Sequence, residues 1–99
     1  MDIASMQHNA HDAANLLKTL ANPSRLLVLC ALVNREHTAG ELEQLVGLSQ
    51  SAVSQHLARL RSNGLVHTRR DGQCIYYALG NDSARRILET LHSIYCADI

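Results

Sequence analysis

The stretch from Thr38 to Val66, TAGELEQLVGLSQSAVSQHLARLRSNGLV, decides the fold. Thr38 with Glu41 three positions on makes a capping box, which starts a helix by satisfying two backbone N–H groups reciprocally. Leu42, Leu45 and Val46 follow at the i, i+3, i+4 spacing of one inward face. Gly47-Leu48 then breaks the period with a tight turn. Ser49 suits the cap of a second helix, where Val53, Leu57 and Leu60 recur inward until Asn63-Gly64 stops it. The outward face of this second helix reads Gln50, Ser51, Ser54, Gln55, Ala58, Arg59 and Ser62. It is small and hydrogen-bonding near its start and basic near its end. A helix entering a major groove needs such a face, with short polar side chains at base edges and arginines at phosphates. The same two helices also describe a plain hairpin with a solvated outer face, so the flanking sequence has to decide.

Downstream comes LVHTRRDGQCIYYALGN. Asp71-Gly72 predicts a type I′ hairpin turn, with Arg70 opposite Gln73, Arg69 opposite Cys74, Thr68 opposite Ile75, His67 opposite Tyr76 and Val66 opposite Tyr77. One face of the hairpin, Val66, Thr68, Ile75, Tyr77 and Leu79, packs on the helices; the other carries His67, Arg69, Cys74 and Tyr76. Arg69, Arg70 and Gln73 fall at the tip, where a wing touches sugar-phosphate. A last helix starts at the Asn81 cap and runs to about Cys96, with the apolar stripe Ala84, Ile87, Leu88, Leu91, Ile94 and Tyr95. So small a core favours using that stripe to pair two copies.

Upstream, residues 1–9 have no strong pattern and are expected to fray. A short amphipathic helix is predicted from Ala10 to Leu20, on Ala13, Leu16, Leu17 and Leu20. Asn22 caps the next helix and Pro23 takes its first position, where a missing N–H costs nothing. From Ser24 to about Asn34 that helix is apolar nearly all round, which marks a buried central strut with Cys30 in its middle. Asn34–His37 reads as a loop. The expectation is therefore a mainly α (α+β) winged helix-turn-helix filling residues 1–99 as one domain. Its order is helix, helix, helix-turn-helix, two-stranded wing, helix.

The chain has 99 residues, 46% of them hydrophobic, and its aromatics are three tyrosines, so the core has to be aliphatic. No apolar run approaches the ~20 residues of a membrane span, and the start lacks the basic and apolar blocks of a secretory signal. A cytoplasmic protein with reduced cysteines is the expectation. Net charge is zero, but it is unevenly spread. Between Ser49 and Gln73 lie Arg59, Arg61, Arg69 and Arg70 against the single acid Asp71; the remainder holds five basic and eight acidic residues. Positive charge is thus gathered on the second helix and the hairpin, which points to double-stranded DNA. No paired carboxylates, glycine-rich phosphate loop or nucleophile–base set points to an enzyme, and no cofactor is expected.

With LANPSRLLVLCAL (20–32), GELEQLVGLSQSAVSQHLARLRSNGLV (40–66) and RRDGQCIYYAL (69–79), the chain resembles the ArsR/SmtB repressors from about Ala10 to Cys96. The resemblance implies a homodimeric repressor that binds a palindromic operator and lets go when an inducer binds. It also implies that Gln50, Ser51, Ser54, Gln55 and His56 approach bases, with the hairpin arginines Arg69 and Arg70 on the backbone, where the helix face and the hairpin tip already put Arg59 and Gln73. His56, beside Leu57, has a competing role as a half-buried structural residue.

Two metal sites common in that family are missing. GELEQLVG holds no Cys-x-Cys, and Asp82 is followed by Ser83 and Ala84, leaving only His92 in the last helix. His8, His11 and His37 lie in polar segments and read as solvated. Cys30 and Cys96 instead look like the thiols of the persulfide-sensing branch, similar to the BigR/SqrR repressors and the related HlyU regulators. The resemblance implies that persulfide, inorganic or organic, bridges the two with a chain of sulfur atoms and so releases DNA. A plain alternative stays open: Cys30 as a small buried hydrophobe and Cys96 as a frayed terminal residue. Cys74 fits no pair, and His92, one turn before Cys96, is placed to favour a thiolate. A metal-responsive repressor and a winged-helix interaction module that binds no DNA are the remaining alternatives.

Overall fold

The computed structural model describes residues 1–96. In chain order it comprises α1 (Ile3–Leu20), α2 (Pro23–Asn34), β1 (His37–Thr38), α3 (Ala39–Val46), α4 (Gln50–Ser62), β2 (Val66–Asp71), β3 (Cys74–Leu79) and α5 (Asp82–Cys96). The described residues thus form five helices and a three-stranded antiparallel sheet of order β1-β3-β2, a winged helix-turn-helix. No single helix among them is long and apolar enough to cross a membrane.

Side-chain caps set the helix starts. The Thr38 hydroxyl accepts from the Glu41 N–H at 3.2 Å and the Glu41 carboxylate accepts from the Thr38 N–H at 2.9 Å, closing the capping box. Asn22, Ser49 and Asn81 accept from Arg25, Ala52 and Ala84 N–H groups at 3.0, 3.2 and 2.8 Å. Gly47 ends α3 in the left-handed region at φ 69°, which lets the chain turn sharply into α4. The core gathers around the strut α2. Val28, Leu29 and Leu32 meet Leu42 of α3, Val53, Leu57 and Leu60 of α4, Leu65, Val66, and Ala84 and Leu88 of α5.

Several expectations change. Helix α1 begins at Ile3, not Ala10, because the Asp2 carboxylate caps it, accepting from the Ala4 N–H at 3.1 Å and the Ser5 hydroxyl at 2.6 Å. Most of its length is exposed, Leu17 included, and it meets the core through Leu16 and Leu20. The Asn34–His37 loop ends in a strand, since His37 and Thr38 pair with Tyr77 and Tyr76 and add a third strand to the wing. His37 is consequently buried rather than solvated. Leu45 points outward, 60% exposed, so α3 anchors on Leu42 and Val46.

The hairpin register is also shifted. Asp71 pairs with Cys74, Arg70 with Ile75, Arg69 with Tyr76, Thr68 with Tyr77, His67 with Ala78 and Val66 with Leu79. The turn residues are Gly72 and Gln73, and only Gly72 takes positive φ, as a type II′ turn requires; type I′ would have forced a non-glycine residue there as well. The shift moves each partner by two positions, so the faces survive. Val66, Thr68, Tyr77 and Leu79 still pack inward, while Ile75, near the tip, is 42% exposed.

Candidate nucleic-acid interface and thiol site

Helix α4 buries Val53, Leu57 and Leu60 and turns Gln50, Ser51, Ser54, Gln55, Ala58, Arg59, Arg61 and Ser62 to solvent. The three buried side chains lock its rotation, so the polar face is presented on a rigid element. Its two flanks differ. Ser54, Ala58, Arg61 and Ser62 line a groove shared with Tyr77 of the wing. On the other flank, His56 is half-buried and feels the charges of Arg25 and Arg59. Burial first, then those two cations, hold its pKa below the ordinary histidine value.

The wing arginines are not equivalent. The Arg69 Nε donates to both carboxylate oxygens of Glu36, at 3.0 and 2.9 Å, and its Nη2 donates to Glu36 Oε1 as well. Its guanidinium also lies 4.4 Å from the Tyr76 ring centroid. Arg69 is thus committed to the residue just before β1, and Arg69 with Arg35 holds the Glu36 carboxyl below the usual range. Arg70 and Gln73 are exposed at the tip and take no ion pair among the described residues. Cys74 is exposed opposite Asp71, not opposite Arg69.

Cys30 and Cys96 are both half-buried free thiols, one on α2 and one at the end of α5. They lie close enough that charge on Cys96 bears on Cys30; burial first, and Cys96 second, push the Cys30 pKa above its ordinary value. Cys30 also lines a cavity of about 460 Å³ with Ala31, Val33, Asn34, Leu88, Glu89 and His92. Arg85 of α5 ties the two helices beside it, donating to the Val33 carbonyl at 3.0 Å. No group of three His, Cys, Asp or Glu side chains among the described residues is arranged to hold a metal ion.

Two positions that hold the site's elements together escaped the sequence. Glu36 looked like a loop residue because its partner is 33 positions away. Arg25 had a local signal, a lone cation in an otherwise apolar helix. It is buried, and its Nε and Nη2 donate to the carbonyls of Thr19 and Lys18 at 2.5 and 3.4 Å, closing the last turn of α1.

The family described as bacterial regulatory protein, arsR family, matches residues 22–68, the span from the α2 cap into the wing. The chain is 47% identical over 96 residues to the HTH-type transcriptional regulator YgaV of Escherichia coli, covering 96% of this chain and 97% of that one. It is 45% identical over 96 residues to the transcriptional activator HlyU of Vibrio cholerae, covering 97% and 89%. The crystal structure of the transcriptional repressor BigR from Xylella fastidiosa superposes with a TM-score of 0.92 at 43% identity, over 99% of this chain and 100% of that one. Likeness of this order, running from α1 through α5, extends well past the shared helix-turn-helix, and the chain belongs to the ArsR family of transcription regulators.

Proposed function

We propose that this regulator is a cytoplasmic homodimeric repressor that binds a palindromic operator through α4 and the wing, and releases it when sulfur bridges Cys30 to Cys96. What supports the sensing step is that Cys30 on α2 and Cys96 at the end of α5 lie within electrostatic reach of each other, with Cys30 lining a cavity that can admit a small reagent. The sulfane sulfur of the persulfide is the oxidant, and no other is needed. A thiolate attacks the sulfane sulfur of a persulfide RSSH; the S–S bond breaks, the cysteine becomes Cys–SSH, and RS⁻ leaves and takes up the proton the cysteine thiol gave up on ionising. When both cysteines carry persulfide, one terminal sulfur attacks the inner sulfur of the other. HS⁻ departs and a three-sulfur bridge remains. Such a bridge spans a wider gap than a disulfide, whose Cα atoms sit within about 7 Å. Tying the end of α5 to the strut biases the spacing of two recognition helices. A coupling of ~1–3 kcal/mol changes affinity about 5–150-fold.

On the DNA side, Gln50, Ser51, Ser54 and Gln55 face base edges, while Arg59 and Arg70, with Gln73, face the backbone. The dimer is supported by the exposed apolar side chains of α1 and α5, among them Ile3, Met6, Ile94 and Tyr95. The test is a gel mobility shift with the DNA upstream of its own gene, with and without a persulfide donor, followed by mass spectrometry. Release accompanied by sulfur joining Cys30 to Cys96 is the expected result. A Cys30→Ser variant that releases normally overturns the thiol mechanism. Absence of any salt-dependent binding overturns the repressor itself. Release by zinc that a chelator reverses assigns the signal to a metal instead.

A further inference from the structure

Arg25 is a buried cation without a carboxylate. Its guanidinium is satisfied only by the carbonyls of Lys18 and Thr19 at the end of α1, and no ion pair involves it among the described residues. The negative end of the α1 dipole offsets part of its charge. Arg59 of α4 lies close enough to bear on it, and both bear on His56. His56 and Arg59 are three positions apart and so share one helical flank, the one that meets α2. Three basic groups therefore lie within electrostatic reach of one another where α2 packs on α4. The charged groups that bear on His56 are Arg25 from α2 and Arg59 from its own helix; no carboxylate bears on it. Arg35 pairs with Glu41 and Arg69 with Glu36, whereas Arg25 and Arg59 take no ion pair among the described residues. Uncompensated positive charge beside an exposed DNA-reading face is a site awaiting an anion.

We propose that His56 and Arg59, backed by the buried guanidinium of Arg25, form a seat for one DNA phosphodiester on the flank of α4 that meets α2. This rests on the DNA-binding function proposed above and assigns His56 to the backbone rather than to a base. The seat has a thermodynamic signature. In the free protein burial first, then the two cations, disfavour the charged form of His56; a phosphate in the seat favours it, so binding takes up protons. Affinity therefore rises as pH falls. Because Arg25 is held by the last carbonyls of α1, the seat is also mechanically joined to that helix.

Fluorescence anisotropy with a labelled duplex from upstream of its own gene, read across salt and between about pH 6 and 8, tests it. Wild-type affinity is expected to climb with falling pH, by at most about tenfold per unit for each proton taken up. His56→Gln removes that climb. Arg59→Gln flattens the log–log salt dependence by about 0.9 for each phosphate that is no longer neutralised. Arg25→Gln also strips the cap from α1, so the His56 and Arg59 variants carry the test whether or not it folds. Either of those two behaving as wild type in its own readout overturns the seat. Wild-type protein that shows no salt-dependent binding overturns DNA binding altogether, and the seat falls with it.

Discussion

Cys30 sits half-buried on α2, where burial and then Cys96 raise its pKa above the ordinary thiol value of about 8.5. Its thiolate is therefore scarcer at neutral pH than that of an ordinary cysteine. Alkylation followed by peptide mass spectrometry should mark the exposed Cys74 well before Cys30, and Cys30 labelling should accelerate as pH rises past the ordinary value. Cys30 labelled as fast as Cys74 at neutral pH would contradict this. The linkage has a definite sign. A raised folded-state value means the fold is favoured while the thiol stays protonated, and that contribution is lost as pH climbs through the folded value. Single residues were legible in the sequence where their partners are near in the chain. Thr38 with Glu41, Ser49, Asn22 and Asn81 all cap as read, each reaching only three positions. His37 and Leu45 were misread because burial depends on β3 and α2, which local spacing does not report. The orphaned Nδ1 of His37, 4.0 Å from Glu41, is a consequence of that unforeseen strand.

Among the elements, the strut α2 and the wing make contrasting predictions. Leu29 is fully buried where α2 meets the other helices, so Leu29→Ala should cost about 2–5 kcal/mol in urea unfolding, through diminished burial and the cavity left behind. An effect under about 0.5 kcal/mol would mean that the core lies elsewhere. In the wing, Arg69 is held by Glu36 while Arg70 stands free. Arg70→Gln should therefore flatten the salt dependence of DNA binding by about 0.9, and Arg69→Gln should leave it nearly unchanged while loosening the join between β2 and the segment before β1. Equal flattening from both variants would show that DNA displaces Glu36. Glu36 carries its own pH signature. Its lowered folded value favours the fold above the ordinary carboxylate range and loses that contribution as pH falls through the folded value. The elements were legible by kind and order, because periods of 3.6 and 2 are local. The hairpin register was not: DGQ admits two turns, and the ladder that chooses between them includes the pairing of β3 with β1. The start of α1 was missed for a related reason. Its first turns have no core-facing stripe, and their signal is the single cap at Asp2.

Over the whole molecule, the chain is elongated, with extents of 48 × 33 × 21 Å and a radius of gyration of 14.6 Å, where about 13 Å is typical for this length. Helix α1 explains the shape. It is 18 residues long, yet residues 3–12 are exposed throughout, and an isolated helix of that length has little stability in water without tertiary support. Ile3 at 63%, Met6 at 41% and Leu17 at 56% exposure lie along it, and α5 adds Ile94 at 64% and Tyr95 at 79%. Apolar surface on two terminal helices is what an isologous pair of protomers covers, and a twofold pair matches a palindromic site half by half. Met6→Glu combined with Ile94→Glu should therefore give a monomer by sedimentation velocity, because an unpaired carboxylate buried at the interface is strongly disfavoured. The recognition helix is untouched, so each half-site is still read. What disappears is the second half-site, delivered at high effective concentration, and operator affinity should fall by roughly 10²–10⁴ while affinity for an isolated half-site stays constant. The same variant separates two ways for the proposed sulfur bridge to act. If the bridge works by moving one recognition helix relative to the other, persulfide treatment of the monomer should still join Cys30 to Cys96 yet no longer change half-site binding. A monomer whose half-site affinity drops on bridging would place the signal inside α4 of one protomer and remove the dimer geometry from the mechanism.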